Sequence, residues 1–131
     1  MTIKRNATGS GIASAAAVTL VGSVNNGVTA AAGSSSQATA ALLPLVSNHV
    51  ITTGASNSGV ILPPGNGTGD NMQAGDYMTV ANYTGNTILL YPPVGGKLNN
   101  GSLNASVSVT NGKIIQLTSI DGLNFFYNLT A

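Results

Sequence analysis

Groups that could carry out acid–base or nucleophilic chemistry are few in this chain. Its 131 residues include four lysines and arginines, three aspartates and one histidine, and no cysteine. General acid–base catalysis needs titratable groups brought together, and a Ser–His–Asp site would have to use His49. No Gly-x-Ser-x-Gly nucleophile motif occurs, and the nearest match, Gly54–Gly59, has the wrong spacing. We interpret His49 as an exposed or satisfied histidine at the start of a strand, and we expect no enzymatic activity.

Metal binding is suggested only by the loop 64–75. Within it, Gly65–Asn71 is similar to the glycine-rich calcium repeats of β-roll proteins. Such sites work by stacking copies, whereas this loop is a single copy with one carboxylate, Asp70. A zinc site needs several His, Cys or carboxylate ligands, which the chain lacks. We therefore interpret this stretch as a flexible loop and expect no metal or other cofactor.

Charge is scarce throughout, since charged residues make up 5% of the sequence against roughly 25% in typical globular domains. Surface polarity must therefore come from hydroxyl and amide groups. A net charge of +1 gives no reason to expect binding to nucleic acid or to an anionic membrane. No apolar run approaches the roughly 20 residues of a membrane span. A neutral surface of this kind suits a protein that is covered by other subunits.

The first 37 residues are small and polar, with glycines and asparagines that argue against a long helix. We predict that residues 1–37 form an extended arm that becomes ordered when a partner binds it. A cleaved signal peptide is disfavoured because the most apolar stretch, Ala15–Leu20, is short and is interrupted by Thr19. The basic pair Lys4–Arg5 could dock on an acidic patch, although two such charges are usually just solvated.

Residues 38–131 are predicted to form a β domain, because short apolar runs recur there between Gly, Pro and Asn. Asn111–Gly112 and Asp121–Gly122 are typical of type I′ hairpin turns, so the last three strands should form an antiparallel meander. The pattern predicts an all-β fold, a small antiparallel β-sandwich or barrel of the jelly-roll kind with an extended N-terminal arm. The predicted strands are Asn48–Thr53, Gly59–Leu62, Tyr77–Asn82, Thr87–Tyr91, Ser106–Thr110, Lys113–Ser119 and Asn124–Leu129.

Two segments of this β domain are similar to each other, Val60–Pro64 and Leu89–Pro93. Each is an apolar strand stopped by two prolines, which cannot continue a hydrogen-bonded ladder. The similarity suggests a duplicated strand–turn unit, although two copies are too few to predict a solenoid.

The aromatic residues all fall on or beside predicted strands. The alternation of Phe125, Tyr127 and Leu129 predicts that these side chains pack in the core. A platform on which sugars or bases stack is the less favoured interpretation. The full set is Tyr77, Tyr83, Tyr91, Phe125, Phe126 and Tyr127.

From Gly22 onward the chain contains an ordered series of short motifs. They are Gly27–Ala31, Gln37–Ala40, Leu43–Leu45, Gly59–Pro63, Gly75–Asp76, Asn82, Leu90–Gly96 and Asp121–Gly122 with an aromatic residue soon after. This order resembles that of head decoration proteins, or capsid cement proteins, of tailed bacteriophages. The resemblance implies a compact β domain, commonly a trimer on the outside of the capsid, that reinforces the shell where major capsid subunits meet.

The sequence therefore leads to the hypothesis of a capsid cement protein, made in the bacterial host cytoplasm and located on the capsid exterior. Its partners would be the major capsid protein and further copies of itself in a homotrimer, with no nucleic acid and no membrane. The residues predicted to contact the capsid or neighbouring subunits are Ile3, Lys4, Arg5, Val18, Leu20, Val24 and Val28. The alternative is a phage tail or fibre module that binds the host surface, with a carbohydrate-binding module third.

Overall fold

The computed structural model describes residues 23–33, 36–65 and 71–131. Strands dominate these residues, which contain one 3-10 turn (Gln37–Thr39) and no α-helix, so the expected all-β fold is confirmed. None of the helical structure described is long and apolar enough to cross a membrane. The strands are β1 (Val24–Thr29), β2 (Ala41–Leu42), β3 (Asn48–Thr53), β4 (Gly59–Ile61), β5 (Tyr77–Asn82), β6 (Ile88–Tyr91), β7 (Lys97–Leu98), β8 (Val107–Val109), β9 (Ile114–Ser119) and β10 (Asn124–Leu129).

The strands form two sheets between which the chain alternates. Sheet A has the order β1-β3-β5-β9-β10-β7, and sheet B has the order β2-β4-β6-β8. Neighbouring strands among β1, β3 and β5 are parallel, as are those among β2, β4 and β6. The chain therefore winds through three stacked coils, β1–β2, β3–β4 and β5–β6, in the manner of a β-solenoid.

The expectation of an antiparallel jelly-roll sandwich or barrel was wrong. That expectation relied on the turn signals in the sequence. Such signals show where a strand ends, but they do not specify the strand with which it pairs. The proline pairs Pro63–Pro64 and Pro92–Pro93 end β4 and β6 at corners. From these corners the chain crosses to the other sheet, so β4 and β6 do not form hairpins with the strands that follow them.

The two similar proline-terminated segments occupy equivalent places in successive coils. β4 pairs with β6 in parallel, with Val60 opposite Leu90 and Ile61 opposite Tyr91. The Leu62 amide continues this ladder by donating to the Tyr91 carbonyl at 3.1 Å. The two similar segments of the sequence therefore correspond to one repeat of the coil.

The last strands cover one end of the coils with antiparallel pairs. β8 pairs with β6, β9 with β5, and β10 with β9. The β9–β10 hairpin at Asp121–Gly122 confirms the second half of the predicted meander, although its turn is not type I′, because only Gly122 of this pair has a positive φ. The first half was wrong, because the turn at Asn111–Gly112 carries the chain from sheet B to sheet A. Of its central residues only Gly112 has a positive φ, 79°, whereas a type I′ turn needs two.

A single apolar core lies between the sheets. Inward residues alternate with outward ones, so that Met78 and Val80 on β5 are buried beside the outward Tyr77 and Thr79. Phe125 is buried, and Tyr127 and Leu129 pack partly buried against the core, as the alternation predicted. Complete burial of each such apolar side chain stabilises the fold by about 1.5–3 kcal/mol. The largest completely buried apolar residues are Phe125, Leu43, Ile51, Leu62, Met72, Met78, Ile88, Leu90, Ile115, Leu117 and Val60.

The β domain begins earlier than its predicted boundary at residue 38. β1 lies inside the stretch predicted as an arm, yet it pairs with β3, with Val24 opposite Asn48. The Ser23 amide also donates to Ser47 Oγ at 2.7 Å. Residues 23–33 are therefore part of the folded coils.

Candidate interaction surfaces

His49 lies in the core, where β1 and β3 meet. The register places Asn25 opposite His49, and Asn25 Nδ2 donates to His49 Nδ1 at 3.2 Å. The His49 ring is completely buried, and its Nε2 has no hydrogen-bond partner among the described residues. Burial lowers the pKa of His49 to about 4, opposed by the backbone carbonyls of Val46 and Pro44. His49 is therefore neutral at pH 7 and belongs to the packing of β1 on β3.

The described aspartates organise turns. Asp121 Oδ1 accepts hydrogen bonds from the Leu123 and Asn124 amides at 2.9 and 2.7 Å, and its Oδ2 accepts one from Asn124 Nδ2 at 2.7 Å. The bonds from Asn124, and then that from Leu123, lower the pKa of Asp121. Asp76 Oδ2 accepts from the Gln73 amide at 2.9 Å. Asp70 lies outside the described residues.

No group of three or more His, Cys, Asp or Glu side chains that could hold a metal ion occurs within residues 23–33, 36–65 and 71–131. The calcium interpretation of the loop 64–75 falls largely on residues 66–70, outside that part. Both ends of the loop contact the β9–β10 hairpin. A Cβ atom at Gly65 would overlap with the Gly122 carbonyl oxygen, and the Gly75 amide donates to the Ser119 carbonyl at 2.8 Å.

The first coil presents an open edge in each sheet. β1 is the end strand of sheet A and β2 is the end strand of sheet B, and neither has a second neighbour among the described residues. Two large apolar side chains lie there in solvent, Val24 with 66% of its surface exposed and Leu42 with 62%. We call this surface, β1 with β2, the open coil end.

Two of the predicted contact residues belong to the open coil end. Val24 is exposed, whereas Val28 is partly buried against the core. Leu42, the other exposed apolar residue of this surface, was not among the predicted contacts, because the two residues of β2 give no strand pattern. The other predicted contacts lie outside the described residues: Ile3, Lys4, Arg5, Val18 and Leu20.

An apolar groove of about 300 Å³ begins at the open coil end and follows the proline corners. Leu42 lines it, as do Val94 (72% exposed) and Leu123. The groove carries no charged side chain among its lining residues. The rest of the lining is Ile61, Leu62, Pro64, Gly65, Asn71 and Pro93.

The outer face of sheet A carries two rows of side chains fixed by strand register. The aromatic row is Tyr77 on β5, Thr118 on β9 and Phe126 on β10, which lie directly opposite one another. The amide row is Thr79, Gln116 and Asn128 on the same three strands. Tyr77 is 42% exposed and Phe126 is 54% exposed, although both are aromatic. Their outward direction follows from alternation, since the inward Phe125 and Tyr127 flank Phe126.

Comparison with known proteins finds no relative of this chain: no family model, no curated protein and no solved structure matches it.

Proposed function

We propose that this chain is a structural protein of a tailed-bacteriophage virion, a cement protein that binds the outer surface of the head. One support is the motif order from Gly22 onward, which resembles that of head decoration proteins. The observation that carries the proposal is the open coil end, where the edge strand of each sheet has no second neighbour within residues 23–33, 36–65 and 71–131 and two apolar side chains are exposed. Unpaired strand edges and exposed apolar groups suit a protein partner.

In this proposal, the chain binds the capsid through apolar burial and main-chain pairing alone, without a chemical reaction. A capsid surface that covers Val24 and Leu42 would gain about 1.5–3 kcal/mol for each side chain fully removed from water. The edge strands β1 and β2 would add main-chain hydrogen bonds to a partner strand. The described residues that line the groove with Leu42 are uncharged, so burying them would leave none of their side chains as a charge without a partner.

The proposal includes the location and the assembly. The chain would sit on the capsid exterior as a homotrimer and reinforce the shell where major capsid subunits meet. The alternative, a tail or fibre module that binds the host surface, would place the same open coil end against another virion protein.

A binding experiment with heads tests the proposal. Heads purified from a phage whose gene for this chain is deleted are mixed with the purified full chain and sedimented. We expect the chain to sediment with the heads, and Val24→Asp and Leu42→Asp to weaken this binding at least about tenfold, because each buries an unpaired charge. Leu103→Asp is the matched control, since Leu103 is 59% exposed and lies in the loop between β7 and β8.

Specific results of this experiment would contradict the proposal. A full chain that stays in the supernatant would contradict the cement function, and binding to isolated tails instead would favour the alternative. Equal binding by Leu42→Asp, Val24→Asp and Leu103→Asp would show that the open coil end is not the contact. Far-ultraviolet circular dichroism of each variant confirms that it is folded.

A further inference from the structure

The aromatic row of sheet A is exposed although neighbouring positions on the same strands are buried. Phe125 on β10 is 1% exposed, whereas the next residue, Phe126, is 54% exposed. A large exposed aromatic side chain leaves apolar area in water that folding could otherwise bury. Tyr77 lies two strands away on the same row, about 10 Å from Phe126 at the usual strand spacing. The row thus holds two aromatic side chains at a fixed separation on a rigid sheet.

The adjacent amide row has hydrogen-bonding groups that the fold does not use. Gln116 and Asn128 lie opposite each other on β9 and β10, are exposed, and make no side-chain hydrogen bond to the described residues. Other amide side chains of the chain hold turns: Asn82 Nδ2 donates to the Asn86 and Val109 carbonyls at 2.7 Å each, and Asn111 Oδ1 accepts from the Gly85 amide. Gln116 and Asn128 therefore keep both donors and acceptors for a ligand.

Because these two rows carry no charge, they favour a neutral ligand over an ionic one. The six side chains of the aromatic and amide rows are all uncharged, so an ionic ligand would lose hydration there without gaining a counter-charge. A flat protein surface would cover the amide row only by leaving its hydrogen-bonding groups unpaired or by matching each one. A neutral sugar chain has apolar ring faces and many hydroxyl groups, which complement aromatic rings and amides respectively.

We propose that the outer face of sheet A, through its aromatic and amide rows, binds a neutral oligosaccharide. Tyr77 and Phe126 stack against two rings of an extended sugar chain that lies across the strands, with an intervening ring over Thr118. Gln116 and Asn128 donate hydrogen bonds to, and accept them from, the sugar hydroxyls. This activity goes beyond head binding, because it uses a face distinct from the open coil end.

Isothermal titration calorimetry of the full chain tests the site. The probes are hexasaccharides of β-1,4-linked glucose and of β-1,4-linked N-acetylglucosamine, with a heparin hexasaccharide as the anionic comparison. We expect saturable binding to at least one neutral probe and none to heparin. Phe126→Leu and Tyr77→Leu should each weaken binding at least about tenfold, since they keep apolar bulk but remove the stacking ring.

Tyr83→Leu is the matched control, because Tyr83 is an equally exposed tyrosine (57%) just beyond β5 and outside both rows. Its binding should equal that of the unaltered chain. The proposal is overturned if neither neutral probe binds, if heparin binds better, or if Tyr83→Leu weakens binding as much as Phe126→Leu. A self-association seen by light scattering and abolished by Phe126→Leu would likewise overturn it, by assigning the face to a second copy of the chain.

Discussion

The buried contact between His49 and Asn25 ties the first coil to the second. One ring nitrogen accepts from Asn25, while the other has no partner in the described part of the core. Protonation of His49 would place a positive charge in the buried core, where the loss of hydration is costly. The sequence predicted an exposed or satisfied histidine at the start of a strand, whereas His49 is buried and its Nε2 has no partner among the described residues. The sequence did not indicate this burial, because the strand that packs beside His49, β1, lies in the stretch of small and turn-forming residues predicted to be an arm.

Acid should destabilise the fold through His49. The folded pKa of about 4 lies below the ordinary value of about 6.5, so the unfolded chain binds a proton more readily between these values. Stability is therefore complete above about pH 6.5 and falls as pH drops towards 4, by about 3 kcal/mol in total. Urea unfolding of the full chain at a series of pH values measures this slope.

The variant His49→Gln is the control for acid destabilisation, since it keeps an acceptor for Asn25 without a titrating ring. Its stability should be nearly constant from pH 6.5 to 4. Asp121, whose pKa is lowered from its ordinary value of 3.8, stabilises the fold above that value and loses this contribution only at more acidic pH. An unaltered chain with flat stability over this range, or a variant with the same slope, would contradict the role of His49.

At the scale of elements, the β9–β10 hairpin tip packs closely against the corner after β6. A Cβ atom at Gly96 would overlap with the Leu123 carbonyl oxygen and would lie 3.0 Å from the Pro93 oxygen. Both obstacles are main chain and cannot rotate away. The Gly96 amide also donates to the Pro93 carbonyl at 2.8 Å, which fixes the corner after β6. The β9–β10 hairpin tip therefore packs against the proline corner at Gly96, where there is no room for a Cβ atom.

Replacing Gly96 with alanine should therefore destabilise the fold. Overpacking of this kind costs about 1–3 kcal/mol, and the loss should appear as a lower urea midpoint. Gly54→Ala is the control, because its Cβ would meet only side-chain atoms, the nearest being Ala30 Cβ at 3.2 Å. We expect a smaller change there. Equal midpoints for the two variants would mean that the hairpin tip can move away from Gly96.

Strand positions were predictable from the sequence, and strand partners were not. β3, β5 and β10 begin and end at the predicted residues, because alternation and flanking turn residues are local signals. β2 and β7 have two residues each, too few for any pattern. Partners depend on the path between strands, and the Asn111–Gly112 turn, which crosses between sheets, has the same sequence signature as a hairpin turn. For the same reason, alternation predicted that Phe125 and Tyr127 face the core, but not the row that Phe126 forms with Tyr77.

For the whole molecule, stacked coils imply stability that varies along the winding, since each coil contacts only its neighbours. The two ends of the stack differ. β5 lies between β3 and β9, and four of its six residues are buried, whereas β1 has one neighbour among the described strands and a ladder interrupted at Gly27. Few charges are available to reinforce the open coil end, so its stability rests on the pairing of β1 with β3 and on the His49–Asn25 contact.

Native-state hydrogen exchange should reveal this gradient. The Ala30 amide bonds to the Thr53 carbonyl at 2.8 Å, and the Asn82 amide bonds to the Lys113 carbonyl at 2.9 Å, so both are protected in the folded chain. We expect Asn82 to exchange only by global unfolding, with a steep dependence on denaturant, and Ala30 to exchange by local opening at a lower free energy with little such dependence. Equal free energies and equal denaturant dependence at the two amides would contradict the gradient and make the β domain one cooperative unit. If local opening is confined to the first coil, it occurs at the surface proposed to bind the head. A bound partner would then stabilise this part of the fold most.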